Sequence, residues 1–276
     1  MAEVQDAPDA TSQALDANTA FYRHVLQALT EEGVPFLVGG AFAFAAFTGI
    51  ERLTKDLDLF IRRVDYKRIA ALMDDLGYRA DLTYPHWLAK VHGGGTFVDL
   101  IFNSGNGILP VDDGWFAHAA DGVVFGLPVK IAPAEESACS KAFIMERERY
   151  DGADVAHLLR ARAAVLDWVR LRYRFGAHWR VLFAHLVLFG YIYPDQRAQV
   201  PRWLMDELLG RLADELGQPA PASGLCGGTL LSREQYLVDV EQLGLRDARV
   251  ACGTMTDEDV AVWTAAIPAR GDDVPG

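Results

Sequence analysis

Between residues 20 and 163, short apolar runs alternate with amphipathic stretches, and no other feature limits the possible folds so strongly. Residues 34–38 form an apolar run typical of a buried strand, and the run ends in Gly39 and Gly40. Residues 41–47, which are rich in Ala and Phe, then have the composition of a helix. Strands interleaved with helices in this way indicate a sheet covered by helices. We therefore predict an α+β fold, with a short mixed sheet flanked by helices.

The chain is predicted to divide into three segments. Residues 1–19 are acidic, polar and Ala-rich, which predicts a flexible leader. Residues 20–163 are predicted to form the α+β domain, in which Asp65 caps a helix that ends at Gly77. Beyond this point the apolar residues have helical spacing, so residues 164–276 are predicted to form a mainly helical C-terminal domain.

The individual elements follow from the same periodicities. Helices are predicted over residues 21–32, 65–76, 133–147 and 151–163. Strands are predicted over residues 57–61, 78–83, 87–92 and 96–102, and a small hairpin over residues 122–131. The triple glycine 93–95 is expected to join two of these strands as a hairpin.

The charge balance excludes broad binding of polyanions. The chain has 26 Lys and Arg against 38 Asp and Glu, a net charge of −12, which opposes nonspecific capture of nucleic acid or of an anionic membrane. The apolar runs 36–50 and 181–193 are shorter than the roughly 20 residues that a membrane-spanning helix needs. The first residues also lack the pattern of a signal peptide. We expect a soluble, cytoplasmic protein with no membrane partner.

One basic and aromatic segment lies at residues 167–179, with Arg170, Arg172 and Arg174 among its residues. Such a segment could stack on a nucleobase or hold the end of an RNA. We expect instead a helix whose arginines form one face and whose aromatic residues pack inward.

Two carboxylates stand at alternate positions in the sequence Asp56-Leu57-Asp58. On a strand they project from the same face, with Cα atoms roughly 7 Å apart. Neighbouring carboxylates repel each other unless a cation lies between them, and oxygen ligands suit Mg²⁺ that bridges a substrate phosphate. Such a pair suits a metal ion, but taken alone the spacing favours a solvated strand face, so the surrounding residues must decide between the two.

Two further features bear on this site. Gly39 and Gly40 stand at a strand-to-helix turn, where bare backbone and free N–H groups can hold a phosphate. Asp99 interrupts an otherwise apolar strand, where an unpaired charge would cost several kcal/mol through desolvation. Asp99 therefore needs a partner, and either a metal ion or a buried Arg would serve.

Together, the glycine turn, the Asp56-Leu57-Asp58 pair and Asp99 resemble the nucleotidyltransferase superfamily, whose catalytic domain is shared with polymerase beta. Residues 141–159 are similar to the Lys…Arg-x-x-Asp-x-x-Asp-x-x-x-Leu-Leu stretch of the branch that includes abortive-infection toxin nucleotidyltransferases. Two departures from the family pattern stand out. The gap of fifteen residues between the second glycine and the first acid is longer than usual, and that glycine replaces a serine found in many relatives.

The resemblance implies roles for the site residues. It implies that Asp56 and Asp58 ligate two Mg²⁺ ions about 3.5–4 Å apart, and that Asp99 completes the second ion site or takes the proton of the acceptor hydroxyl. The Gly39-Gly40 turn would hold the triphosphate.

Three charged residues complete the predicted substrate-binding set. Lys55 could reach phosphate oxygens or merely screen the neighbouring acids. The resemblance places Lys141 on the triphosphate and Asp154 in the same cleft, whereas an ordinary ion pair between neighbouring helices is the alternative.

The implied enzyme moves a nucleoside monophosphate from a nucleoside triphosphate such as ATP to a hydroxyl and releases pyrophosphate. The acceptor could be a small molecule, a tRNA or a protein. The alternative hypothesis is a noncatalytic module that binds a nucleotide or an antitoxin-like protein partner, as one half of a toxin–antitoxin type system.

Overall fold

The computed structural model of the protein describes residues 10–52, 54–93 and 95–267, and its side chains from residue 18 onward. The chain forms two compact units. The first unit contains the described residues among 10–83, 88–102 and 111–132. The second unit contains residues 84–87, 103–110 and 133–267.

Helices and strands alternate in the first part of the chain. The helices are α1 (Ala10–Glu31), α2 (Gly40–Thr48), α3 (Tyr66–Asp75) and α4 (Asp113–Ala117). The strands are β1 (Leu37–Val38), β2 (Asp56–Phe60), β3 (Arg79–Tyr84), β4 (Leu88–Gly93), β5 (Thr96–Ile101), β6 (Ala120–Val124) and β7 (Leu127–Ile131).

The seven strands form one mixed sheet in the order β3-β4-β5-β2-β1-β7-β6. Strand β2 runs parallel to β5, and β1 runs parallel to β7. The pairs β1–β2, β4–β5 and β6–β7 are antiparallel. The predicted mixed sheet flanked by helices is therefore confirmed.

The core of the first unit lies between this sheet and two helices. Val25 and Leu29 of α1 and Ile69 of α3 are fully buried and belong to one apolar cluster with Leu57 and Leu59 of β2. Because side chains alternate across a strand, burying these two leucines turns the acidic residues of β2 to the opposite face.

The second unit is mainly helical, apart from a two-stranded sheet. Its helices are α5 (Ala134–Ala142), α6 (Gly152–Arg162), α7 (Trp168–Phe175), α8 (Trp179–Ile192), α9 (Arg202–Leu216), α10 (Leu237–Glu241), α11 (Ala248–Ala251) and α12 (Asp257–Ala265). Its strands are β8 (Leu225–Cys226) and β9 (Arg246–Asp247), which pair in parallel.

The arginines of α7 lie on two sides of the helix and not on the one face that the sequence predicts, since two of them contact α5 and the third contacts α9. Arg170 and Arg174 form ion pairs with Glu136, which is fully buried in α5, and Arg172 pairs with Glu207 of α9. The aromatic side chains of Trp168, Phe175 and Trp179 are buried as predicted, whereas that of Tyr173 is exposed. These arginines therefore neutralise carboxylates inside the unit, as a buried charge requires.

One helical stretch in the described part of the chain, Trp168–Ile192, is long and apolar enough to cross a membrane by length and composition. It comprises α7, a 3-10 turn and α8. Arg170 and Arg172 of this stretch form ion pairs with Glu136 and Glu207.

The helix boundaries differ from the sequence prediction at two places. Helix α1 begins at Ala10, so residues 10–19 of the predicted leader are helical, and residues 1–9 lie outside the described part. Asp65 occupies the N-cap position of α3 as predicted, but a 3-10 turn precedes the helix and holds Asp65 in a helical conformation in which its side chain makes no capping hydrogen bond. Gly77 follows the end of α3 with a φ of 78°, as predicted.

Residues 133–163 belong to the helical unit, whereas the sequence predicts a boundary near residue 164. The ion pairs between α5 and α7 supply the reason, because they link this segment to helices that follow it in the chain. The predicted segments 20–163 and 164–276 remain predictions as domain bounds.

We predict that Leu59→Ala lowers the free energy of unfolding by about 2–5 kcal/mol, since the side chain is fully buried and its loss leaves a cavity beneath the acidic face of β2. Val64→Ala is the control, because Val64 is 80% exposed and should change stability by less than about 0.5 kcal/mol. Urea denaturation followed by tryptophan fluorescence measures both. Equal stabilities of the two variants would contradict the assignment of Leu59 to the core.

Candidate active site

Three aspartates converge on the first unit's sheet. Strands β2 and β5 are parallel neighbours whose register places Asp58 directly opposite Asp99, with Asp56 two residues away on the same face. One carboxylate oxygen from each of these residues lies within 4.8 Å of the others. The three acids that the sequence singles out therefore form one cluster, and Thr54 donates a hydrogen bond to Asp56 Oδ1.

Asp99 is the most buried of the three acids, and its surroundings change its pKa. Its side chain is 13% exposed, and burial raises its pKa, as does the negative charge of Asp56. Lys90 of β4 acts in the opposite direction and lowers the pKa, because its Nζ lies 2.6 Å from Asp99 Oδ1. The net pKa of Asp99 is above its ordinary value. The partner that Asp99 needs is therefore a lysine in this structure.

The glycine turn lies against the carboxylate of Asp58. The backbone N–H of Gly39 donates to the carbonyl of Asp58 at 2.9 Å, and helix α2 begins at Gly40. Gly40 has a φ of 53°, and a Cβ atom built there would lie 1.6 Å from Asp58 Oδ2. A side chain at this position would therefore require the carboxylate of Asp58 to move, and the positive φ favours glycine.

A hydrogen-bonded group just before β2 fixes the backbone that carries the acids. The hydroxyl of Tyr22 in α1 donates to the carbonyl of Lys55 at 3.0 Å and lies 2.6 Å from the hydroxyl of Thr96. Thr96 Oγ1 also donates to this carbonyl, at 2.9 Å. Burial raises the pKa of Tyr22 most, and the charges of the nearby aspartates raise it further. Sequence reasoning missed Tyr22 and Thr96.

The side chain of Lys55 itself is exposed beside the acidic cluster. An exposed position is compatible with both roles that the sequence suggests for Lys55, namely contact with a phosphate and screening of the acids.

The donor set of the cluster fits a divalent cation. Asp56, Asp58 and Asp99 offer six carboxylate oxygens, and the ligand atoms are close enough to share one ion or two neighbouring ions. Hard oxygen donors without thiolate or imidazole suit Mg²⁺ or Mn²⁺. The ammonium of Lys90 would repel any cation that binds Asp99, because it already forms an ion pair with this carboxylate.

Lys141 and Asp154 meet in the second unit. Lys141 Nζ lies 2.6 Å from Asp154 Oδ2 and 3.3 Å from Asp151 Oδ2, and all three side chains are largely buried. Arg149 donates two further hydrogen bonds to Asp151. The structure thus shows the ion pair that the sequence left as an alternative, and a role of these residues in substrate binding stays a prediction.

The family comparison agrees with this geometry. Residues 18–172, more than half of the chain, match the family described as nucleotidyl transferase of unknown function (DUF2204). The chain belongs to this nucleotidyltransferase family. A search of curated proteins gives no match.

Several solved structures are similar to parts of the chain. The antibiotic-resistance factor ANT(2'')-Ia is 18% identical, with 60% of this chain and 95% of that chain covered and a TM-score of 0.43. The lincomycin-bound lincosamide antibiotic adenylyltransferase LnuA is 14% identical, with 51% and 94% covered and a TM-score of 0.36. An antigenic nucleotidyltransferase-like protein from Paracoccidioides brasiliensis is 17% identical, with 67% and 92% covered and a TM-score of 0.41.

We predict that Gly40→Ala disturbs the acidic cluster, whereas Gly49→Ala does not. Both residues have positive φ, so each variant should lose roughly 1 kcal/mol of stability or more through backbone strain. A Cβ at Gly49 meets nothing within 4 Å, whereas one at Gly40 must displace the carboxylate of Asp58. Gly40→Ala alone should therefore weaken Mn²⁺ binding, measured by electron paramagnetic resonance. Equal Mn²⁺ affinity in the two variants would contradict the close approach.

We predict that Asp151→Asn destabilises the protein at neutral pH and not in acid. Burial alone would raise the pKa of Asp151, but Arg149 and Lys141 outweigh burial and hold the pKa below its ordinary value. The carboxylate therefore contributes stability above the unfolded-state pKa, and this stability is lost as the pH falls through the folded-state pKa.

The cost of Asp151→Asn should be about 1–2 kcal/mol at pH 7 and should shrink toward about pH 3. Denaturant unfolding at several pH values measures it. Asp121→Asn is the control, because Asp121 is 89% exposed beside Lys130 and should change stability little at any pH. A cost for Asp151→Asn that does not vary with pH would refute the electrostatic explanation.

Proposed function

We propose that the protein is a Mg²⁺-dependent enzyme that moves a nucleoside monophosphate from a nucleoside triphosphate to an acceptor hydroxyl and releases pyrophosphate. The observation that carries the proposal is the cluster of Asp56, Asp58 and Asp99, whose carboxylates lie within 4.8 Å of one another on neighbouring parallel strands. Membership of a nucleotidyltransferase family supports the same reaction class.

The aspartates have distinct roles in this proposal. Asp56 and Asp58 would hold two Mg²⁺ ions, with Asp99 completing the second site or accepting the proton of the acceptor hydroxyl. Bound ions would supply charge stabilisation for the phosphates and lower the pKa of the hydroxyl. The oxygen of the acceptor attacks the α-phosphorus, and the bond from this phosphorus to the pyrophosphate oxygen breaks.

The remaining residues bind the triphosphate in this proposal. The N–H groups at the start of α2, beside Gly39 and Gly40, suit phosphate oxygens because a helix N-terminus favours anions. The exposed ammonium of Lys55 lies next to the acids in the sequence and is free to turn toward a bound phosphate. We further propose that Lys141 and Asp154 assist in substrate binding, as the family resemblance implies.

The net charge of −12 favours an acceptor that is not a large polyanion. A small molecule or a protein hydroxyl therefore suits the chain better than a tRNA, and we place the reaction in the cytoplasm. Steep loss of activity with added salt would instead indicate a nucleic-acid acceptor.

We predict that Asp56→Asn/Asp58→Asn abolishes nucleotide transfer. Mutating residues that only hydrogen-bond to metal ligands typically lowers metal affinity or activity by about 10–100-fold. Losing two proposed ligands should therefore lower labelling more than about 100-fold. The assay incubates the protein with labelled nucleoside triphosphates, Mg²⁺ and a cell lysate, and mass spectrometry identifies the product.

The matched control is Asp121→Asn, which removes an exposed carboxylate on β6 and should label as the wild type does. Equal labelling by the double variant and the wild type would refute the proposal. Thermal stabilisation by ATP with Mg²⁺, without pyrophosphate release against any acceptor pool, would favour the noncatalytic nucleotide-binding module.

A further inference from the structure

Lys90 places a positive charge inside the acidic cluster. It lies on β4 directly opposite Asp99 on β5, and its Nζ is 2.6 Å from Asp99 Oδ1. The side chains are 22% and 13% exposed, so water screens this pair only in part. The ammonium also lies 3.6 Å from the centre of the Phe97 ring, a cation–π contact that helps to hold it in place.

An ammonium and a divalent cation compete for the same carboxylate. Asp99 has two oxygens, and the oxygen that accepts from Lys90 is engaged in a charge-assisted hydrogen bond. An ion that takes this oxygen must displace the ammonium, and an ion that takes the other oxygen lies within a few ångströms of a like charge. Either arrangement lowers the affinity of the site, because like charges at this distance repel strongly in a half-buried environment.

We propose that Lys90 is a built-in competitor for the divalent ion that Asp99 would hold, and that it weakens the binding of this ion. This inference rests on the proposed function, since it concerns the metal ions of the same site. Lys90 is a positioning residue in this scheme, because it acts through Asp99. It sets how much free metal is needed before the Asp99 position fills.

Mn²⁺ titrations without nucleotide test the proposal. Electron paramagnetic resonance of free Mn²⁺ counts the bound ions and gives their dissociation constants for the wild type, Lys90→Met and Lys90→Arg. Methionine keeps an unbranched stem over Phe97 and removes the charge, so the more weakly bound Mn²⁺ should bind roughly tenfold tighter. Arginine keeps the charge, so Lys90→Arg should bind Mn²⁺ about as weakly as the wild type.

Lys130→Met is the matched control. Lys130 lies opposite Asp121 in the β6–β7 hairpin with the same Nζ–Oδ1 distance of 2.6 Å, but both side chains are well exposed, at 56% and 89%. Its Mn²⁺ binding should equal that of the wild type. Thermal melting shows whether each variant folds, and Lys90→Gln replaces Lys90→Met if the latter does not.

Two outcomes overturn the inference: unchanged Mn²⁺ binding in the folded, uncharged Lys90 variant, or tightening of equal size in Lys130→Met. The double variant Asp56→Asn/Asp58→Asn separates this failure from failure of the proposed function. If that variant still binds Mn²⁺ as the wild type does, the proposed metal centre is wrong. If it loses Mn²⁺ while Lys90→Met changes nothing, the metal centre stands and only the competition by Lys90 is refuted.

Discussion

The parallel pairing of β2 with β5 is the interaction on which the acidic cluster depends. Side chains at matched positions of neighbouring strands point to the same face, so the register that sets Asp58 opposite Asp99 also sets their carboxylates side by side. Parallel strands need a long crossover, and here α3, β3 and β4 provide it. The same crossover brings Lys90 next to Asp99. One chain connection therefore places the acids close enough to repel each other and also places a lysine that neutralises part of their charge.

Local pattern predicted most of the sheet and helices, because strands such as β2 and β5 are short, mostly apolar runs bounded by glycine or polar residues. Strand β2, for example, occupies residues 56–60 where 57–61 is predicted. The grouping of residues 133–163 with the later helices was not predictable in this way. It depends on ion pairs such as Glu136 with Arg170, which lie 34 positions apart in the chain and leave no periodic signal.

The site was predictable as far as its acids, since alternate spacing and an acid in an apolar strand are visible in the sequence. The partner of Asp99 was expected to be an arginine or a metal ion, and the structure shows Lys90. A signal for it did exist, because pairing residue 93 with residue 96 in the predicted hairpin sets residue 90 opposite residue 99. Tyr22 had no such signal, since its reach to Lys55 depends on how α1 packs against the sheet.

The close approach of Gly40 to Asp58 limits what the start of α2 can recognise. A side chain at this position would displace the carboxylate of Asp58, so residue 40 can offer an anion only its main-chain amide. Amides bind the oxygens that every triphosphate shares, and they are blind to the base and the sugar. If the turn holds the triphosphate as proposed, discrimination among nucleotides must come from other residues, and sequence changes that alter base preference can accumulate without touching the glycine turn.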